Sequence, residues 1–361
     1  MEIGIVGLPL SGKTTLFNLL THAEAETGFA AGKKKANMGV SRVPDPRLDR
    51  LSQIWNPKKT THATIRYVDV AGVEKGAGKE GFSGEMLTHL KNTDALLAVI
   101  RAFESDQVPH PEGTVNPLRD LGILQSEFLL SDLIITENRL ERIAKQMKGK
   151  VEKSLEVEKE LLERCREALE AERPLRDVGF APDEARVLKG FQFLTLKPLV
   201  VALNLGEADL PRGEELAAPV AAAWAGPSVA VTYLCATIEE EISRLSPEDA
   251  RAFLDDLGLD TPATDRIIRT SYALLGLISF FTMGEDECRA WTVRQGTKAP
   301  QAAGAIHTDL ERGFIRAETV AYDDFVAAGS QAACRERGTL RVEGKDYVVK
   351  DGDILNIRFS V

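Results

Sequence analysis

The chain has 361 residues, 45 of them Lys or Arg and 55 Asp or Glu, with a formal net charge of −10. At 43% hydrophobic and 28% charged, the composition excludes wholesale disorder, collagen and an architecture made only of coiled coil. The longest apolar run, Ala273–Phe281, is broken by Gly276 and Ser279 and falls short of the ~18 residues of a membrane span; the acidic total argues against a general polyanion binder.

The N-terminal residues MEIGIVGLP have no basic segment ahead of their apolar run and read as a strand rather than a secretory signal. Ile3–Val6 is thus the first of five short aliphatic runs, followed by Ile65–Val68, Leu96–Ile100, Leu199–Leu203 and Ser228–Leu234. Each ends in a loop of small or polar residues, and helical periodicity fills the intervals. The pattern predicts an α/β fold with a mostly parallel sheet. Between the third and fourth runs, Ile143, Met147, Val151, Leu155, Leu162, Cys165 and Leu169 recur at helical spacing. Arg139–Lys153 carries six basic and two acidic residues, and Ser154–Glu172 three basic and seven acidic, with Gly149 near the change of sign. Two antiparallel helices with a basic tip fit this charge pattern, and one continuous surface helix is the alternative. After Gly276, short strand-like pieces (Arg289–Val293, Thr339–Val342, Tyr347–Val349, Ile354–Phe359) alternate with Gly-containing turns, which predicts a small α+β module. Cys165, Cys235, Cys288 and Cys334 form no CxxC pair, so reduced thiols in the cytoplasm are expected.

The residues that carry chemistry start at Gly7. GLPLSGKT fits GxxxxGK[ST] directly after a strand and before the apolar helical run Leu16, Phe17, Leu19, Leu20. Gly7 and Gly12 let the backbone curl so that successive amides face phosphate oxygens. Lys13 brings a positive charge to the β/γ-phosphates, and the Thr14 hydroxyl can ligate Mg²⁺. A second motif, DVAG, follows the strand Ile65–Val68: Asp69 can hold Mg²⁺ through water, and the Gly72 amide can sense the γ-phosphate. Val73 stands where Ras-like enzymes carry the water-orienting Gln, so catalysis uses another group or is slow. The third motif, NLGE from Asn204 to Glu207, ends the strand Leu199–Leu203 where a GTPase would show NKxD. An ordinary polar turn is the plain alternative.

Together these motifs resemble the YchF family of Obg-like ATPases, also called EngD, over essentially the whole chain. The resemblance rests on the P-loop, DVAG with its Gly-rich continuation EKGAGKEGFSGEML, the NxxE motif, the helical insertion, and the segment FFTMGEDECRAWTVRQGTKAPQAAGAIHTDLERGFIRAE, which is similar to the family's TGS domain. It implies a P-loop domain at 1–128 and 196–277, a helical coiled-coil hairpin at 129–195 and a β-grasp-like TGS domain at 278–361. It also implies ATP hydrolysis and association with ribosomes. The family's phosphate loop NVGKST corresponds to Leu10–Thr15, so Leu10 and Ser11 depart from the pattern while Gly12, Lys13, Thr14 and Thr15 hold. Leu205 and Glu207 match positions that recognise adenine, and Cys235-Ala236 stands where a second base-contacting loop reads SA. Lys33 occupies the approximate place of a switch Thr that ligates Mg²⁺, and His110 matches a loop histidine proposed to assist hydrolysis.

The resulting expectation is a cytoplasmic, Mg²⁺-dependent ATPase of slow turnover, monomeric, without a membrane partner, acting on the ribosome or RNA. Two rivals remain open: a GTPase in which Glu207 reads guanine, and a nucleotide-gated binding module whose turnover is incidental.

Overall fold

The structure, a computed structural model, describes residues 1–23, 37–69, 84–147, 153–224 and 226–360. In chain order the first elements are β1 (Glu2–Val6), α1 (Lys13–Thr21), β2 (Asn37–Arg42), α2 (Pro46–Trp55), β3 (Lys59–Thr61), β4 (Thr64–Asp69), α3 (Gly84–Asn92) and β5 (Ala95–Ala102). Next come α4 (Pro117–Gln146), α5 (Lys153–Glu170), α6 (Pro182–Leu188), β6 (Leu199–Leu205), α7 (Gly213–Trp224), β7 (Val229–Leu234), α8 (Ala236–Ser243), α9 (Pro247–Asp256) and α10 (Ala263–Leu274). The chain finishes with β8 (Leu277–Met283), β9 (Glu287–Arg294), α11 (Ala299–Ile306), α12 (Thr308–Arg312), β10 (Phe314–Ala321), α13 (Tyr322–Ala328), α14 (Gln331–Glu336), β11 (Arg341–Glu343) and β12 (Asp353–Phe359). No described helix is long and apolar enough to cross a membrane.

Two compact units result, one of residues 1–40 and 66–267, the other of 41–65 and 268–361. The first holds a six-stranded sheet in the order β2-β4-β1-β5-β6-β7. Every pair from β4 through β7 is parallel. β1 lies between β4 and β5, so the chain reverses direction across the sheet at its carboxyl end, the place where α/β sheets take ligands. β5 and β6 read as unbroken aliphatic runs because helices cover both faces. Leu96, Ala98, Ile100, Val201 and Leu203 pack with Leu121, Leu124 and Phe128 of α4 and Val220 of α7.

α4 begins at Pro117, capped by the Asn116 side chain accepting from the Arg119 N–H. It runs 30 residues, so its first turns pack on the sheet and its last turns join the hairpin. A helical insertion starting at 129 therefore begins about two fifths of the way along a continuous helix. Ile143 of α4 shares a second core with Leu162, Cys165 and Leu169 of α5. Arg139 pairs with Glu158 through two 2.7 Å hydrogen bonds. Residues 19 apart on one straight helix would lie ~28 Å apart, so this pair decides for the hairpin. At its base Asp132 is fully buried and accepts from the Leu194 and Thr195 N–H groups (2.9 and 2.7 Å) and the Thr195 hydroxyl (2.7 Å).

The second unit is a β-grasp-like sheet in the order β11-β10-β12-β8-β9-β3. Phe280, Val293, Ala302, Phe314 and Leu355 form the core under α11. Its edge strand β3 pairs in parallel with β9, Lys59–Thr61 against Glu287–Arg289. α2 starts on Pro46 behind the Asp45 cap. The Arg47 guanidinium bonds both Asp45 oxygens at 2.9 Å and Asp351 Oδ2 at 2.7 Å, and these carboxylates hold it above its usual range. The segment 41–65 thus belongs to this unit, which corrects its sequence-based placement in a P-loop domain spanning 1–128. The polar KTT of β3 has no apolar alternation that could have announced a strand.

Candidate nucleotide site

β1 ends at Val6, and residues 7–12 carry the chain into α1. A Cβ on Gly7 would overlap the Val99 carbonyl oxygen. Gly12, the N-cap, lies in the left-handed region at φ 95°, where a Cβ would also overlap the Asn204 amide. Both glycines are therefore required by space as well as by conformation. Leu10 also has a left-handed φ of 62°, a region where Asn is common and a branched aliphatic side chain is strained. The first intrahelical bond of α1 is Leu16 N–H to Gly12 O. The amides of Lys13, Thr14 and Thr15 are thus the unsatisfied donors of a helix N-terminus, the arrangement that binds phosphate.

Lys13 is buried and curls back to donate from Nζ to Leu8 O at 2.8 Å. Burial lowers its pKa to about 8, opposed by the charge of Asp69. Asp69 closes β4 and accepts from Thr14 Oγ1 at 2.9 Å. Burial pushes its carboxyl up, opposed by Thr14, Lys13 and Asn37. Thr14 and Asp69 offer two adjoining hard oxygen donors. No group of three His, Cys, Asp or Glu side chains stands together among the described residues. One hydroxyl and one carboxylate, completed by phosphates and water, is how Mg²⁺ is commonly held, so the residues fit this ion.

Asn204, the penultimate residue of β6, is 4% exposed. Its Nδ2 donates to Ser11 O and its Oδ1 accepts the Ala236 N–H, both at 3.1 Å. The carbonyl and one amide hydrogen are therefore taken by the protein, and Asn204 ties the phosphate loop to the start of α8. The second amide hydrogen is the one donor Asn204 keeps for a base. Leu205 is buried in the sheet core, and Cys235 in a cluster with Leu210, Ile238 and Leu254, so only their backbones remain for a base. Glu207 is exposed at the start of a 3₁₀ turn, Glu207–Arg212. Gly72 and Lys33 lie outside the described residues.

His110 is not a solvated loop residue. Its side chain is 3% exposed, with Nε2 3.0 Å from Asp120 Oδ2. Nδ1 accepts the Glu112 N–H at 3.1 Å. Asp120, in the first turn of α4, is also bonded by the Arg119 side chain. Arg101, at the end of β5, donates to Phe103 O (3.0 Å) and Val108 O (2.7 Å). Burial draws its pKa down against the charges of Glu104 and Asp120. Sequence reasoning missed both Arg101 and Asp120. The signal for Arg101 was a charge inside the otherwise apolar strand ALLAVIRA, whereas Asp120 had none beyond its helix start.

A family model described as "50S ribosome-binding GTPase" matches residues 2–130, and the YchF-GTPase_C model, described as a protein of unknown function, matches 277–360. The chain is 43% identical over 365 residues to the "Ribosome-binding ATPase YchF" of Bacillus subtilis, covering all of both chains. The chain belongs to the YchF family. The YchF relative of Escherichia coli O157:H7 is 42% identical over 362 residues, covering all of this chain and 99% of its own. The "Obg-like ATPase 1" of Oryza sativa subsp. japonica is 37% identical, covering all of this chain and 92% of its own. A solved YchF GTPase of Schizosaccharomyces pombe superposes with a TM-score of 0.87 at 31% identity, covering 99% of this chain and 97% of its own. The family is one of P-loop nucleoside triphosphatases. Its members' names differ on the base: the two bacterial proteins and the rice protein are called ATPases, the yeast structure a GTPase.

Proposed function

We propose that this YchF chain is a Mg²⁺-dependent ATPase of slow turnover that acts as a ribosome- or RNA-associated switch in the cytoplasm. The observation that carries the reading is the grouping of Lys13, Thr14, Asp69 and the helix-start amides at the carboxyl end of β1. On nucleotide binding, Lys13 exchanges the Leu8 carbonyl for phosphate oxygens, and the ammonium form is favoured by the new negative charge. Bound Mg²⁺ would neutralise charge on the β- and γ-phosphates, with Thr14 and Asp69 as its protein partners. His110 serves hydrolysis only after leaving Glu112 and Asp120, because its basic nitrogen is occupied by a backbone N–H. Val73 in place of a Gln, and Lys33 in place of a switch Thr, both favour slow turnover.

ATP preference follows from the base loop. In NKxD the Asp pairs with guanine N1–H and N2–H₂ while the Lys stem lies along the base. Here Leu205 is turned into the core and the carboxylate of Glu207 reaches one methylene further. Guanine would leave its donors imperfectly paired, at a cost on the order of 1–3 kcal/mol or roughly 5–150-fold in affinity. Ribosome association is supported by the names of the relatives and by the basic end of α4, where Lys145 lies in the last turn; Lys148, Gly149 and Lys150 lie outside the described residues. The four cysteines are buried and free, as suits a reducing compartment. Calorimetric titration of nucleotide-free protein with ATP and with GTP, each with Mg²⁺, tests the assignment. GTP binding as tight as ATP or tighter overturns the base preference in favour of the GTPase reading.

A further inference from the structure

The segment between β5 and α4 is clasped from two ends. Arg101 holds the carbonyls of Phe103 and Val108, and its guanidinium lies 4.4 Å from the Phe103 ring centroid. Arg119 holds Thr114 O at 2.5 Å and Thr114 Oγ1 at 3.1 Å while bonding Asp120 Oδ1 through Nε and Nη2. His110 sits between these clasps. A neutral imidazole that accepts the Glu112 N–H at Nδ1 must carry its proton on Nε2, the nitrogen that faces Asp120. In this state the basic nitrogen Nδ1 is taken and cannot deprotonate a water, while Nε2 is turned to the Asp120 carboxylate.

The arrangement closes a crevice behind the phosphate loop, lined by Leu8, Pro9, Ser11, Arg101, His110 and Asp120 and too narrow to hold a water molecule. Among the described residues, three polar atoms there are buried without a hydrogen bond: Ser11 Oγ, Arg101 Nη1 and Asp120 Oδ2, the last close to the imidazole but not aligned with its N–H. Unpaired buried donors and acceptors cost stability, and three in one crevice beside a functional loop mark a state held closed by its surroundings. Opening the segment would wet all three atoms and release the imidazole together.

We propose that Asp120 is a positioning residue that, clasped by Arg119, holds His110 withdrawn from the nucleotide, so that freeing the segment 103–114 raises the rate of hydrolysis. The inference rests on the reading of His110 as a hydrolysis group. Asp120 touches no nucleotide in it and acts through the imidazole alone.

The test uses the full-length chain carrying Asp120→Asn, with Arg119→Gln as the milder variant because its side chain is 29% exposed. Each is made with and without His110→Ala. Histidine ¹⁵N resonances of nucleotide-free protein report the imidazole state; single-turnover hydrolysis of Mg-ATP and ATP affinity report the chemistry. Expected are an Nε2–H tautomer for His110 in the unaltered protein and its loss in both latch variants. Single-turnover rates should rise roughly 3- to 10-fold with ATP affinity within about 2-fold, and His110→Ala should erase the gain. A freed imidazole without a faster rate, in a protein where His110→Ala alone slows hydrolysis, overturns the latch and leaves the histidine reading intact. If His110→Ala alters no rate in any background, the histidine reading fails, and the inference with it.

Discussion

Asn204→Ala removes a cross-tie whose two partners are fixed in space. Ser11 O loses a donor and the Ala236 N–H an acceptor, each 3.1 Å away, at a site too buried for water to replace them. Each orphaned group costs roughly 1–3 kcal/mol, so the variant should lose about 2–6 kcal/mol of stability. Gly12→Ala meets two penalties: a left-handed backbone at φ 95°, about 1–2 kcal/mol for a residue with a Cβ, and overlap of that Cβ with the Asn204 amide, about 1–3 kcal/mol more. In the Asn204→Ala background the overlapped atom is gone and only the backbone penalty remains. A double-mutant cycle by urea unfolding of nucleotide-free protein should therefore show a coupling of about 1–3 kcal/mol, with the double variant more stable than the single effects sum to. The same proteins titrated with Mg-ATP should bind more weakly wherever the tie is cut, because Ser11 belongs to the phosphate loop. Additivity within about 0.5 kcal/mol would refute the idea that Gly12 is kept small by Asn204.

Lys13→Ala should abolish measurable hydrolysis and weaken ATP binding roughly 100-fold, since a charge aimed at the β/γ oxygens is lost; unchanged single-turnover rates would exclude the site. Leu10→Asn should stabilise the nucleotide-free protein by about 1 kcal/mol by placing a side chain suited to φ 62° there, and an unchanged or lowered urea midpoint would count against backbone strain at that position. Asp132 gives a pH dependence. Burial holds its carboxyl at about 6, above its ordinary 3.8 and outweighing its hydrogen bonds to Leu194 and Thr195. The fold thus binds this proton more tightly than the unfolded chain does. The associated stability is present in full below about pH 4 and lost as pH rises through about 6, on the order of 3 kcal/mol. Urea midpoints of Asp132→Asn should lack that fall between pH 4 and 6, and parallel profiles for the two proteins would dismiss it.

Five of the six strands in the first sheet were legible because each carries a short run rich in aliphatic or β-branched residues, and these recur in β1, β4, β5, β6 and β7 within a few residues; β2, NMGVSR, has no such run. The phosphate loop was legible because its chemistry is local: eight consecutive residues hold the glycines, the lysine and the threonine. Contacts made at long range were not. Asn204 reads as part of a base motif, yet its two partners lie 193 and 32 residues away. His110 was singled out only by the family resemblance, and nothing in the sequence showed that α4 delivers Asp120 beside it. In the C-terminal unit, β9 and β12 were found from alternation, whereas Tyr347–Val349 forms no strand and contributes only the bridge of Val348 to Lys298. β8 was hidden inside the apolar run Ala273–Phe281, which splits between the end of α10 and the strand at Gly276, φ 62°.

The placement of residues 41–65 bears on how the chain can be made. α2 and β3 leave the ribosome early, yet the strand that β3 pairs with is synthesised some 226 residues later. At about 5–20 residues per second the wait is roughly 10–45 s. Throughout that interval Leu48 and Leu51, wholly buried in the finished protein, lack β9, the strand on which α2 packs. Nascent α2 therefore passes through a period of exposure that a chaperone can recognise. A fragment ending at residue 267 would never leave it. Expressing the N-terminal unit by simple truncation should yield a protein with a permanently bare apolar helix face, prone to aggregate whatever the quality of its nucleotide site.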